Sequence, residues 1–128
     1  MRYDADRKPD SAVWLDLDEE VRIAKIVSYH RLKRVELENE RIHAIAHMLV
    51  ENQLALGEPP LVPDTLARLM DEGLSRHDAV HAVGSVLLGV MFDVVRKPND
   101  KRDPNAQYHR ELATLTAARW RAQAEHEG

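Results

Sequence analysis

The chain has 128 residues, of which 44% are hydrophobic, and this length and composition suit one domain with a modest core. Its formal net charge of −4 and the lack of a dense run of lysine and arginine argue against nucleic-acid binding. There is no cysteine, which excludes disulfides and thiolate chemistry and leaves nitrogen and oxygen as ligands for a metal ion. With one Phe, three Tyr and two Trp, the core must be aliphatic, and this favours helices packed on helices.

The first predicted helix follows a polar segment, residues 1–13, which we expect to be flexible. This segment has no apolar signal region, and no apolar run in the chain reaches membrane length. We therefore expect a cytoplasmic protein that has no membrane partner. The helix begins at Asp16 or Asp18, with two glutamates in its first turn, and ends near Lys33. The charged stretch 34–39 predicts either a turn or a continuation of this helix.

Four further helices are predicted from apolar periodicity interrupted by glycine and proline. They span about 40–56, 63–73, 75–95 and 104–125. Gly57 stops the second helix, and Ser75 caps the fourth. Residues 97–103 form a loop before the last helix, and no segment has a strand pattern. The sequence therefore predicts an all-α fold, a bundle of four to five helices in one domain that spans residues 1–128.

Two histidine pairs at helical spacing are the strongest functional signal. His43 and His47 are followed four residues later by Glu51, and His77 and His81 repeat the spacing on the fourth helix. Residues four apart lie on one face of a helix, and two imidazoles so placed can bind one metal ion. Both helices are otherwise apolar nearly all round, which is typical of buried helices. Their narrow polar stripes must therefore satisfy each other or hold an ion.

The sequence thus predicts a transition-metal site between the second and fourth helices. The predicted ligands are His43, His47, His77 and His81, and Glu51 is either a further ligand or a general base. These five groups would saturate one ion, whereas a catalytic site usually keeps one coordination position open. Either one histidine therefore stays outside the ligand shell, or two ions share the five groups. Iron would imply oxygen or redox chemistry on a small-molecule substrate, and zinc would imply hydrolysis; both remain open.

Two stretches also resemble a known family. The segments IHAIAHMLVENQLALG and GLSRHDAVHAVGSVL are similar to small bacterial helical proteins of unknown function. Those proteins share the patterns H-x-x-x-H-x-x-x-E-x-Q and R-H-x-A-x-H, which match this chain over about residues 40–90. The resemblance implies no activity. It implies that Gln53 belongs to the polar signature together with the four histidines and Glu51.

A second, shorter resemblance concerns ligand chemistry alone. The H-x-x-x-E pattern of His47 and Glu51, followed by the H-x-x-x-H pattern of His77 and His81, resembles the ligand helices of hemerythrin-like di-iron proteins. Glu40 precedes His43 by three residues, which is the carboxylate–histidine spacing of ferritin-like bundles. Both patterns imply iron as one candidate metal.

Other polar residues have weaker links to the site. His30 ends the first helix and is expected at the surface, although it would be able to reach the site as a third-helix contribution. Asp78 is a candidate hydrogen-bond partner for the histidines, and Asp93 is expected to pair with a basic residue. Ser85 is expected to donate a supporting hydrogen bond.

The main alternative to a metalloprotein is a non-enzymatic interaction module whose histidines form a hydrogen-bond network. The small residues Ala82, Gly84 and Gly89 would allow close helix packing, within one chain or in a homodimer. Residues 63–87 also have the outline of a DNA-binding helix-turn-helix. Past Arg76, however, the second helix of that outline has no side chain suited to reading bases.

Overall fold

The structure, a computed structural model, describes residues 1–33 and 39–127. Within those ranges it contains helices and no strand, so the predicted all-α bundle is confirmed. The helices are α1 Ser11–Asp16, α2 Glu19–Leu32, α3 Glu40–Leu56, α4 Leu61–Asp71, α5 Arg76–Arg96, α6 Pro104–Thr114 and α7 Ala117–Glu127. The predicted count of four to five helices is wrong, because the described residues form seven. The predicted turn or continuation at 34–39 falls largely on residues 34–38, which lie outside the described residues.

α1 is one of the two helices that were not predicted, and it begins within the segment 1–13 that was expected to be flexible. Asp10 accepts a hydrogen bond from the backbone N–H of Val13 and so caps α1. Trp14 of α1 is fully buried, and before it Tyr3 and Ala5 are also buried. These three side chains anchor the start of the chain on the bundle, although the polar residues around them hide this in the sequence.

The second additional helix comes from a break in the predicted last helix. α6 ends at Thr114, and the backbone of Leu115 is extended. Leu115 and Ala117 are both buried, and the hydroxyl of Thr116 accepts a hydrogen bond from the N–H of Arg119. The break therefore turns two apolar side chains into the core and starts α7 with a side-chain cap. No glycine or proline marks it, which is why the sequence predicted one continuous helix.

The two helices with the histidine pairs lie where they were predicted. Asn39 caps α3 through a 3.2 Å hydrogen bond from the N–H of Ile42, and Gly57 ends the helix with a left-handed φ of 69°. Ser75 caps α5 through a 3.1 Å hydrogen bond from the N–H of Asp78. α4 begins at Leu61, two residues before the predicted start.

α3 lies between two hydrophobic clusters, as its apolar circumference predicts. One cluster joins α3 to α1, α2 and the N-terminal segment, and α3 contributes Ala44 and Met48 to it. The other joins α3 to α4, α5 and α6, and includes Val50 and Leu54. α5 approaches α3 closely at Gly84, where an added Cβ would lie 3.8 Å from the Cβ of Ala46. This close approach brings the histidines of α5 towards those of α3.

The two halves of α5 have different environments. Its first half is packed in the core, with Ala79, Val80, Ala82 and Val83 fully buried. Its second half exposes large apolar side chains, namely Met91, Phe92, Val94 and Val95. Among the described helices, α5 alone is long and apolar enough to cross a membrane, with 33% of the relevant window buried. The buried core helix of a protein that does not enter a membrane can have the same length and apolar composition, so these two properties alone do not identify a membrane-spanning helix.

Candidate metal centre

Three helices bring four histidines together. His30 lies in the last turn of α2, His47 in the middle of α3, and His77 and His81 in the first two turns of α5. One ring nitrogen of each lies within 4.8 Å of the corresponding nitrogens of the others. His30 and His47 are almost fully buried, and the two histidines of α5 are half-buried. The four side chains are therefore close enough to bind one metal ion.

Three of these nitrogens form a nearly equilateral triangle. The Nε2 atom of His30 lies 3.2 Å from that of His77 and 3.0 Å from that of His81, and 3.2 Å separates the latter two. Nitrogens that bind one tetrahedral ion at about 2.0–2.1 Å lie about 3.3 Å apart, and those on one face of an octahedral ion lie about 2.9 Å apart. The observed N–N distances fall between these spacings, so the three nitrogens are spaced as ligands of one ion are.

Hydrogen bonds alone cannot satisfy this triangle. The Nδ1 atom of His30 lies 2.9 Å from the carbonyl oxygen of Ile26, which accepts its proton and leaves Nε2 as a lone pair. If His77 and His81 both donate to that lone pair, their two Nε2–H groups face each other at 3.2 Å. If either ring lacks the proton, two lone pairs face each other instead. A cation at the centre would remove this conflict, because it binds all three lone pairs.

The protein environment keeps these rings neutral. Burial is the main cause that lowers the pKa of His81, to about 3, and the neighbouring His77 and His30 lower it further. Burial likewise lowers the pKa of His30 and of His77, and holds that of His47 well below its usual value. Neutral imidazole is the form that binds metals, so lone pairs are available at pH 7 without competition from protons.

A tyrosine from the N-terminal segment orients His47. The hydroxyl of Tyr3 donates its proton to the carboxylate of Glu51, and its oxygen lies 2.6 Å from the Nε2 atom of His47. Burial, and then the charge of Glu51, raise the pKa of Tyr3, so the phenol keeps its proton. The phenol has one proton to give, so its oxygen accepts the second hydrogen bond from the Nε2–H of His47. This arrangement leaves Nδ1 of His47 as a lone pair.

That Nδ1 atom has no hydrogen-bond partner among the described residues, although the ring is 2% exposed. A buried polar atom without a partner costs about 1–3 kcal/mol, so natural proteins seldom keep one. Nδ1 is therefore the atom with which His47 would bind an ion shared with the triangle. Its Nε2–H bond to Tyr3 matches the second hydrogen bond that metal-binding histidines almost always make.

Glu51 belongs to a different cluster from the four histidines. Its two carboxylate oxygens accept hydrogen bonds of 2.7 and 2.8 Å from the guanidinium of Arg76, which also donates to the carbonyl oxygen of Ala5. One carboxylate oxygen lies 3.8 Å from Nε2 of His47, but the low pKa of that ring means that the contact is not an ion pair. Tyr3 and Arg76 occupy three of the roughly four acceptor positions of the carboxylate, and the carboxylate is not part of the four-histidine cluster.

The structure thus brings together three of the five residues predicted as ligands. His47, His77 and His81 join the cluster, whereas His43 lies outside it and Glu51 is bonded to Arg76 and Tyr3. Successive residues at i, i+4 rotate by about 40°, so a stripe of three spans about 80° and cannot point wholly at one ion.

The sequence reasoning placed His30 at the surface, but its ring is 1% exposed and belongs to the cluster. A signal was available, because His30 follows Ile23 and Ile26 at helical spacing and so continues the buried face of α2. Tyr3 has no such signal, whereas Arg76 begins the pattern R-H-x-A-x-H, which does not indicate its pairing with Glu51.

Among the described residues, none of the remaining polar candidates forms a hydrogen bond with an imidazole ring of the cluster. Glu40 pairs with Arg31, and Asp93 pairs with Arg96 at 2.8 Å, as predicted for a pairing with a basic residue. Gln53 accepts a 2.8 Å hydrogen bond from the hydroxyl of Tyr108. Ser85 donates to the backbone carbonyl of His81, one turn earlier on the same helix. The backbone N–H of Asp78 donates to the capping Ser75.

Comparison with protein-family models, with curated proteins and with solved structures finds no match for this chain. The resemblances to the bacterial helical family and to hemerythrin-like proteins therefore stay predictions. The function has to be argued from the geometry of the site.

Proposed function

We propose that the protein binds one transition-metal ion through His30, His47, His77 and His81. The observation that carries the proposal is the triangle of Nε2 atoms at 3.0–3.2 Å, which no arrangement of protons satisfies. The unpartnered Nδ1 atom of His47 supports it independently. The ligand set is then three Nε2 atoms and one Nδ1 atom from three helices.

The ion is iron or zinc in this proposal. Neutral imidazoles suit zinc, copper, iron and nickel, and the chain offers no thiolate that would favour a purely structural zinc site. Four neutral ligands leave the full charge of the ion uncompensated. Bound zinc would lower the pKa of a coordinated water and favour hydrolysis, and bound iron would favour oxygen or redox chemistry.

Glu51 has a positioning role in this proposal rather than that of a ligand or general base. Arg76 donates hydrogen bonds to the carboxylate, and the hydroxyl of Tyr3 donates to the same carboxylate. The oxygen of that hydroxyl accepts the hydrogen bond from His47. This chain of hydrogen bonds fixes which nitrogen of His47 faces the ion. Such supporting bonds commonly change metal affinity 10–100-fold when they are removed (about one to two orders of magnitude).

The first test is elemental analysis by plasma mass spectrometry on protein purified without a histidine tag. We expect about one iron or zinc ion per chain, and loss of that ion in His81→Ala and in His47→Ala/His81→Ala. His43→Ala and His109→Ala serve as matched controls, since each removes a histidine outside the cluster and is expected to keep the metal. A wild-type protein that holds no metal and takes up neither added zinc nor added iron would rule the proposal out.

A second candidate function is an interaction module that forms a homo-oligomer. The exposed apolar side chains at the end of α5, Met91, Phe92, Val94 and Val95, favour it. Ala82 and Gly84 are buried within the chain, so Gly89 is the one small residue of the predicted packing set that remains exposed. Sedimentation equilibrium of wild type and of Phe92→Ser/Val95→Ser tests it: a wild-type dimer that the double variant abolishes would support the module, and a monomeric wild type would exclude it.

A further inference from the structure

A cavity of about 180 Å³ reaches the four-histidine cluster. Two members of the cluster, His47 and His81, line it, so the cavity lies beside the proposed metal site. Its other lining includes His43, Ser85 and Trp120. Small residues make this space, because Ala46 of α3 and Gly84 of α5 meet there and leave the volume that larger side chains would fill.

We infer that this cavity binds a small anion, of the carboxylate class, which takes an open position on the metal ion. The inference rests on the proposed function, since the anion needs the ion as its main partner. It goes further by assigning the place, the charge and the size of the ligand. Four histidines leave one open position on a five-coordinate ion and two on a six-coordinate ion, and an open position is what catalytic sites require.

The charge of the site favours an anion. Among the described side chains, those that line the cavity include histidine, serine, tryptophan and glutamine but no carboxylate. An imidazole binds a metal in its neutral form, so four such ligands leave the ion its positive charge within a buried setting, where charges interact more strongly than in water. Glu51, the nearest buried carboxylate described, is already paired with Arg76. An anion would therefore supply the compensation that the protein does not.

The size of the cavity restricts the ligand to a small molecule. Its volume is about 180 Å³. Pockets for drug-sized ligands are larger, roughly 300–1,000 Å³. Acetate and short hydroxy acids or keto acids fit this volume, whereas nucleotides and peptides exceed it.

His43 has a role in this inference that the metal site alone does not give it. It stands one turn before His47 on α3 and lines the cavity without belonging to the cluster. Its ring is therefore placed to donate a hydrogen bond to the oxygen of the anion that does not bind the metal. This accounts for the three-residue stripe of α3: His43 faces the ligand, His47 the ion and Glu51 the supporting bonds.

The experiment uses the full chain with cobalt(II) in place of the native ion, because cobalt reports ligand exchange in its visible spectrum. Cobalt is titrated first, and azide and acetate are then titrated into the cobalt protein as probe anions. We expect saturable changes in the visible bands at millimolar anion. Ser85→Leu, which places an aliphatic side chain in the cavity, should abolish these changes. His43→Leu should weaken anion binding about tenfold, the loss expected for one hydrogen bond to a charged group.

Matched controls separate the cavity from general effects. Ser28→Leu on the exposed side of α2 and His109→Leu on α6 make the same substitutions away from the cavity, and both should bind anions as the wild type does. Cobalt stoichiometry and helical circular dichroism are measured for every variant. If Ser85→Leu fails to fold, His43→Leu decides the question by its anion affinity at full cobalt occupancy.

The outcomes distinguish the two proposals. A wild type that binds no cobalt overturns the metal site, and the anion site falls with it. A wild type that binds cobalt but shows no spectral change with azide or acetate overturns the anion site alone. Anion binding that is unchanged in both Ser85→Leu and His43→Leu shows that anions enter elsewhere and overturns the assignment of this cavity.

Discussion

Two buried polar clusters meet at His47 and differ in how completely their hydrogen bonds are satisfied. In the first, Arg76 and Tyr3 donate to both oxygens of Glu51, and opposite charges compensate each other. In the second, three Nε2 atoms crowd together with more lone pairs than protons can join. A satisfied cluster fixes structure, whereas an unsatisfied one indicates a missing partner. The difference identifies the histidines, and not the carboxylate, as the place for an ion.

The largest expected effect comes from breaking the satisfied cluster. Arg76→Met removes the guanidinium and leaves the carboxylate of Glu51 buried without its charge partner. Breaking such a pair costs about 3–5 kcal/mol, so we expect the free energy of unfolding in urea to fall by that amount, with or without metal. Arg41→Met is the matched control, because Arg41 pairs with Glu20 at the exposed surface and should change stability little. Equal losses of unfolding free energy in the two variants would show that the buried ion pair contributes no more to stability than a surface pair.

The next effect on stability is expected when the metal ion is removed from the four-histidine cluster. A metal at 1,000 times its dissociation constant stabilises the fold by about 4 kcal/mol, so a chelator should lower the melting temperature of the wild type. His81→Ala lacks a ligand, and its melting temperature should be the same with and without chelator. A chelator-dependent shift that persists in His81→Ala would place the metal elsewhere.

The two clusters are joined by one atom, the hydroxyl oxygen of Tyr3. Tyr3→Phe removes the hydroxyl that joins Glu51 to His47, and we expect it to cost about 1–3 kcal/mol of stability and to weaken metal binding about 10–100-fold. Tyr108→Phe is matched, since it removes a buried hydroxyl that donates to Gln53 in the other core. That variant should lose stability and keep its metal affinity. Stability and affinity are measured by urea unfolding and by competition with a chromophoric chelator.

The sequence predicted the parts of this arrangement that repeat along a helix. The end of α3 follows from Gly57, and the histidine pairs at i, i+4 identify three members of the four-histidine cluster. Periodicity also shows that both helices are buried. It does not show in which direction each member of a stripe points, because packing with other helices decides that.

The rest depends on contacts between distant parts of the chain. Tyr3 reaches His47 across 44 residues, and His30 reaches His81 across 51. Arg76 and Glu51 are single charged residues whose pairing appears in no local pattern. Sequence reasoning therefore grouped Glu51 with the histidines by spacing, whereas the fold groups it with Arg76 by charge.

The last prediction concerns protons in the metal-free protein. Burial and neighbouring histidines hold the pKa of His81 at about 3, below the value of about 6.5 in the unfolded chain. Between these values the unfolded chain binds a proton that the folded chain does not, so stability is complete above pH 6.5 and falls as pH decreases. The loss is about 1.4 kcal/mol per pH unit for each such histidine. Urea unfolding of chelated protein between pH 7 and 5 measures it. His47→Leu/His81→Leu should flatten the slope, and His109→Leu should not, because its ring is exposed in α6 and lies outside the cluster.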